Sequence, residues 1–150
     1  MDALDREILS QLQNDGRMSL TDLAAKVGLT LSPCHRRVRD LEESGAIQGY
    51  RAVVNPDSVG LGFEAIVFVT IGRTDTETIA QFETAVGQIP NVVQAERLFG
   101  DPDFMLRVRA SDLGAYQALF DDKLAALPGV QRMRSTLVQK QVLANRGLPV

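Results

Sequence analysis

Leu4, Ile8 and Leu12 recur at i, i+4 and i+8, with Leu9 alongside. That spacing predicts a helix over residues 4–13 with one apolar face, stopped by Asn14-Asp15-Gly16. Ser19 reads as the N-cap of a second helix, with Asp22 three residues on as a short capping-box variant. Leu20, Leu23, Ala24 and Val27 form its buried side, and Gly28 suits the left-handed residue beyond its end. A third helix starts near Thr30 or Ser32, both suitable caps, with Pro33 tolerated in the first turn. Its core stripe is Leu31, Cys34, Val38 and Leu41; the other side shows Ser32, His35, Arg36, Arg39 and Glu43. Gly45 ends the helix, and 46–54 reads as a short hairpin or wing turning at Gly49.

Asn55-Pro56-Asp57-Ser58, followed by Gly60 and Gly62, is a turn-rich linker. The pattern then changes. Residues 63–71 are apolar except for Glu64 and Thr70, as in a strand covered on both faces. Residues 76–89 read as a helix with Ile79, Phe82, Val86 and Ile89 inward, 92–99 and 104–110 as strands, and 112–127 as a helix with Leu113, Tyr116, Phe120, Leu124 and Leu127 inward. A strand over 130–142 closes the order. Phe82…Ile89-Pro90-Asn91-Val92 and Phe120…Leu127-Pro128-Gly129-Val130 match at an offset of 38 residues. Two strand–helix–strand units of this kind give βαββαβ, a ferredoxin-like sandwich. Its helices cover one sheet face, so the apolar 63–71 strand implies that the other face is buried too, most simply by a second subunit. The class is α+β: a winged helix-turn-helix over 1–54, a linker over 55–62, and a ferredoxin-like domain over 63–150.

Composition changes this picture little. The chain has 150 residues, 45% hydrophobic and 23% charged, as in ordinary globular proteins. No apolar run reaches the ~20 residues of a membrane helix. The acidic N-terminus lacks the order of a signal peptide. One cysteine excludes an internal disulfide and fits a reducing compartment, so the expected location is the cytoplasm. Net charge is −3, and residues 1–60 hold seven Lys/Arg against nine Asp/Glu. Local potential governs phosphate contact, however, and Arg36, Arg37 and Arg39 concentrate positive charge on one helix.

Two short helices around a Gly turn, the second cationic, form the helix-turn-helix pattern, whose second helix enters the DNA major groove. One reading of Arg36, Arg37 and Arg39 is a solvated face pairing with Asp40, Glu42 and Glu43. The other, favoured by the preceding helix and turn, is DNA contact, since arginine suits guanine bidentately and can anchor any phosphate. Ser32, Pro33 and His35 lie toward the helix N-terminus, where base edges are reached. Ser19 and Thr21 are candidate phosphate donors. Cys34 on the apolar stripe is a buried thiol, and the single histidine, His35, cannot build a multi-histidine metal site. No nucleophile–base pair, phosphate-binding Gly loop or metal-ligand spacing is visible, so neither an enzyme nor a cofactor is expected.

The chain resembles the Lrp/AsnC (leucine-responsive, feast/famine) regulators over nearly its full length. The stretches that carry this are Leu4-Asp5-Arg6-Glu7-Ile8-Leu9, Leu23-Ala24-Ala25-Lys26-Val27-Gly28-Leu29, Pro33-Cys34-His35-Arg36-Arg37-Val38, Leu41-Glu42-Glu43-Ser44-Gly45-Ala46-Ile47, Gly49-Tyr50-Arg51-Ala52 and Gly100-Asp101-Pro102-Asp103-Phe104. The resemblance implies double-stranded DNA as partner, an amino-acid-sensing second domain, and dimers assembling into octamers or similar rings. His35 departs from the family's usual aliphatic residue and Pro102 from its usual aromatic.

From residues alone, Gly100-Asp101-Pro102-Asp103 is a tight turn between strands. The resemblance adds an effector near it. A carboxylate accepts the ammonium of an amino acid and exposed N–H groups bind its carboxylate, with Ser135 and Thr136 as further donors. The leading reading is a DNA-binding regulator that responds to a small molecule, an amino acid in kind; the alternatives are an effector-independent regulator or an amino-acid-sensing module that binds a protein.

Overall fold

The computed structural model describes all 150 residues and separates into two units, 1–53 with 142–150, and 54–141. The first unit holds α1 (Ala3–Asn14), α2 (Leu20–Lys26) and α3 (Leu31–Glu43). Asp2 caps α1 reciprocally: its carboxylate accepts the Asp5 N–H at 2.9 Å, and the Asp5 carboxylate accepts the Asp2 N–H at 2.9 Å. Ser19 caps α2 by accepting the Asp22 N–H at 3.1 Å. Gly28 takes the expected left-handed conformation, with φ +70°, where a Cβ would be strained. Ile8, Leu23, Ala24, Val27, Cys34, Val38 and Leu41 close the core. Burial pushes the Cys34 thiol up, away from the reactive thiolate. Leu31 departs from the expected stripe: it starts the helix rim and is 51% exposed.

No hairpin forms over 46–54. Ile47 is pinned by its N–H to the Leu41 carbonyl at 3.0 Å. Beyond it, Tyr50 packs on Gly16 and donates its hydroxyl to Glu42 at 3.0 Å. The segment is thereby laid along the helices, and no second strand of this chain pairs with it.

The second unit holds β1 (Phe63–Ile71), α4 (Thr76–Gly87), β2 (Val92–Arg97), β3 (Phe104–Ala110), α5 (Leu113–Leu119) and β4 (Val130–Leu137). The antiparallel sheet has the order β2-β3-β1-β4, as a split βαβ sandwich requires. Ala65, Val67, Val69 and Ile71 alternate toward the helices and are buried. Phe82 fills the centre, its ring 4.5 Å from that of Phe104; burying such a ring stabilises by about 1.5–3 kcal/mol. α5 is shorter than its pattern suggests. Its last turn widens over Phe120–Leu124, where the Ala125 N–H reaches back to the Phe120 carbonyl, and Leu113 stays half-exposed.

The open sheet face carries Glu64, Ile66, Phe68, Arg107, Arg109 and Arg134, with the Arg134 guanidinium 5.0 Å from the Phe68 ring centroid. β4 ends at Leu137, and 142–150 group with the first unit instead of the second. There Gln13 and the Leu148 main chain exchange two hydrogen bonds, Leu148 N–H to Gln13 Oε1 at 2.6 Å and Gln13 Nε2 to Leu148 O at 3.2 Å.

The caps give stability a pH dependence. The Asp5 N–H, and after it Arg37, hold the Asp2 carboxyl below the usual aspartate range; the Thr78 N–H and hydroxyl do the same for Asp75. A carboxylate depressed in the folded state contributes stability that is fully present above its unfolded value, about 4, and is lost as pH falls through the folded value. The thermal midpoint should therefore be nearly flat from neutrality to about pH 4 and fall below it. Calorimetry showing a midpoint that rises on acidification through that window would contradict the capping assignment.

Candidate nucleic-acid interface and ligand turn

An α-helix advances roughly 100° per residue. On α3 this gathers Ser32, Arg36, Arg39 and Glu43 within about 60°, opposite Cys34, Val38 and Leu41. The grouping is realised: Ser32, His35, Arg36 and Arg39 are exposed, while Pro33 is half-buried in the first turn. Thr30 holds the N-cap position without a side-chain bond, so the first N–H groups of α3 keep no side-chain cap. Arg39 meets Glu43 at 3.4 Å, but with 61% and 68% exposure; such pairs contribute only ~0.3–0.5 kcal/mol, and the arginine can exchange its partner cheaply.

Arg37 differs. It lies about 100° round from Arg36, at the border with the core stripe. Its Nη1 donates to Asp5 Oδ1 at 2.7 Å and to Asp2 Oδ2 at 2.8 Å. Its side chain is 27% exposed against 61% for Arg39. These bonds, Asp5 first, push its pKa further up. On α2, Thr21 is exposed, whereas the Ser19 hydroxyl is engaged, donating to Asp22 Oδ2 at 2.6 Å.

The 98–103 turn between β2 and β3 is closed by the Leu98 N–H on the Asp103 carbonyl at 2.7 Å. Gly100 has φ +152°, and a Cβ there would meet nothing within 4 Å; its glycine serves the backbone conformation, not a close approach. Asp103 is engaged within the fold. Its carboxylate accepts the Ile71 N–H at 2.7 Å and its own N–H bonds the Val69 carbonyl, which ties the turn to β1. Asp101 is 78% exposed, and Pro102 follows it through a cis peptide.

The residue brought to Asp101 is Arg132, at 3.9 Å and 71% exposed. Ser135 and Thr136 are not brought there. They stand opposite Val67 and Ile66, and Arg132 opposite Thr70; at roughly 3.4 Å per residue they lie about 10–14 Å further along β4. Ser135 is bonded to the Tyr116 hydroxyl on the helix side. Arg132 escaped the sequence reading although strand alternation marks it, with Arg134, as pointing away from the helices. Asp101 and Arg132 together offer an exposed carboxylate and an exposed guanidinium, the charge types that complement an ammonium and a carboxylate.

Comparison with known proteins places both units. The model of the Lrp/AsnC ligand binding domain matches residues 64–148, and that of a winged helix-turn-helix DNA-binding domain matches residues 1–48. The leucine-responsive regulatory protein of Escherichia coli strain K12 is 37% identical over 150 residues, all of this chain and 92% of that one. A Neisseria meningitidis transcriptional regulator, solved as an L-Met complex, superposes with a TM-score of 0.94 at 34% identity, covering 99% of this chain and 96% of that one. An AsnC family regulator from Agrobacterium tumefaciens gives 0.93 at 34% identity, with 99% and 97% covered.

Proposed function

The chain belongs to the Lrp/AsnC family of transcriptional regulators, and on that premise we propose which residues read DNA and which receive an effector. It is a DNA-binding regulator with a ligand-binding domain, not an enzyme. DNA contact falls to Ser32, Pro33, His35 and Arg36 at base edges and to Arg39 and Thr21 at phosphates. The observation that carries this is the exposed row Ser32–Arg36–Arg39 on a helix whose opposite side is core. No helix is long and apolar enough to cross a membrane, in keeping with work in the cytoplasm. The open sheet face, with Ile66 and Phe68 half-buried, is the surface we assign to self-association. A mobility shift with the region upstream of its own gene tests the reading: a retarded complex that competitor DNA of unrelated sequence does not displace is expected.

The effector is an amino acid held at the 100–103 turn, its ammonium on Asp101 and its carboxylate on Arg132, with Gly100 and Pro102 shaping the turn. The L-Met complex of the Neisseria relative makes an apolar amino acid the first to titrate. Asp101→Ala and Arg132→Ala should each weaken calorimetric binding by roughly 1.5 kcal/mol, the low end for a charged hydrogen bond. Ser135→Ala should leave it unchanged. Binding that survives the Asp101/Arg132 double replacement would refute the site. The ligand alters regulation only if it binds one arrangement of the protein better than another.

A further inference from the structure

We propose that Arg37 is a positioning residue for DNA binding and not itself a DNA contact: it clamps the recognition helix α3 to the capped first turn of α1. The proposal rests on the DNA-binding reading above and adds how the reading helix is held. Three observations support it.

The first is geometric. One guanidinium nitrogen of Arg37 serves two carboxylates, Asp2 at 2.8 Å and Asp5 at 2.7 Å, on an element more than thirty residues away in the chain. The second is that these carboxylates are already fixed. Asp2 and Asp5 are the two halves of the α1 capping box, each held by the other's main-chain N–H at 2.9 Å. Arg37 therefore meets acceptors whose positions are set beforehand, and it loses little freedom on binding them beyond its own. The third is burial. Asp5 is only 16% exposed and Arg37 27%, against 61% for Arg39 on the same helix. Turning Arg37 outward to a phosphate would take the guanidinium from both carboxylates and leave the largely buried Asp5 with only the N-terminal ammonium of Met1, 4.0 Å away.

The helix-turn-helix core explains why such a clamp matters. Ile8 of α1 packs with Cys34, Val38 and Leu41 of α3, an apolar contact that resists separation but is weakly directional. A charged bond at one end of that contact fixes how far α3 rotates and slides on α1. Base readout by Arg36 depends on that placement to a fraction of an ångström. The clamp also offsets part of the negative charge of Asp2 and Asp5, which would otherwise repel the phosphates more strongly.

The two roles for Arg37 predict opposite signs for one experiment. Asp2→Asn/Asp5→Asn removes two negative charges from the DNA-binding unit and keeps a competent cap, since asparagine caps as well as aspartate. If Arg37 were a phosphate contact, freeing it in this way would tighten binding. The clamp predicts that the double replacement weakens operator binding, by about tenfold, the scale of coupling within one network. Arg37→Ala should weaken it to a similar extent, and the triple variant no further. Arg37→Lys should recover part of the loss.

Salt dependence gives the second sign. Arg37→Ala should leave the slope of log K against log salt unchanged, whereas Arg39→Ala should lower it by about one per module. Anisotropy titrations of the full chain on operator DNA, with circular dichroism to confirm folding, supply both readouts. Tighter binding by Asp2→Asn/Asp5→Asn, additive effects in the triple variant, or a lowered slope in Arg37→Ala would overturn the proposal. A wild-type chain that binds no DNA would instead remove the functional reading beneath it.

Discussion

Arg36→Ala should cost about 1–3 kcal/mol of operator affinity and relax the preference at one base position in each half-site. Arg36 is exposed on α3 with Ser32 before it and Arg39 after it, so its guanidinium has no intramolecular role to lose. Arg39→Ala should act differently, weakening binding to specific and unrelated DNA alike and reducing the salt slope. Its present partner is the exposed Glu43 of its own helix, and that pairing competes poorly with a phosphate. Anisotropy titrations against the operator and a scrambled fragment separate these effects. Equal affinity of both variants and the unaltered chain for the operator would remove α3 from the interface.

Glu64→Gln should destabilise the second unit by about 3–5 kcal/mol, the cost of breaking a buried charge pair. Glu64 is the one buried charged residue of the chain, at 7% exposure. Its two carboxylate oxygens meet the guanidinium groups of Arg107 and Arg109 on the neighbouring strand, and Arg109 stands directly across from it in the β1–β3 register. Removing the carboxylate's charge leaves two arginines, 25% and 15% exposed, facing each other without a counter-charge. Chemical denaturation followed by far-ultraviolet circular dichroism reads the loss. A change below about 0.5 kcal/mol, typical of surface substitutions, would show that the triad carries little of the sheet's stability.

The parts of this architecture that were legible in the sequence are those set by local periodicity. β1 occupies Phe63–Ile71 as the apolar run predicts, and β3 occupies Phe104–Ala110. Ser19 and Gly28 bound α2 because an N-cap and a left-handed residue are local requirements. What escaped depends on contacts distant in the chain. Asp103 reads as a free carboxylate until the fold brings it to the Ile71 N–H across 32 residues. Arg37 reads as one of three equivalent arginines until α1 supplies Asp2 and Asp5; only its angular offset on the helix hinted at a separate role. Ser135 reads as a hydroxyl donor for the ligand turn, but strand alternation carries it to Tyr116. The hairpin expected over 46–54 is absent for a related reason: a hairpin needs a partner strand, and Tyr50 is drawn to Glu42 and Gly16 instead, while residues 1–48 still match a winged helix-turn-helix domain.

We propose that α3, through Arg36 and Arg39, brings this chain to specific DNA. Footprinting of the region upstream of its own gene at physiological salt tests it most directly. Protected segments spaced by about one helical turn or a multiple of it are expected, as a symmetric assembly of helix-turn-helix units requires, together with their loss in the Arg36→Ala/Arg39→Ala chain. Protection that persists unchanged in that double variant, or an unprotected fragment at protein concentrations that saturate non-specific binding, would contradict it.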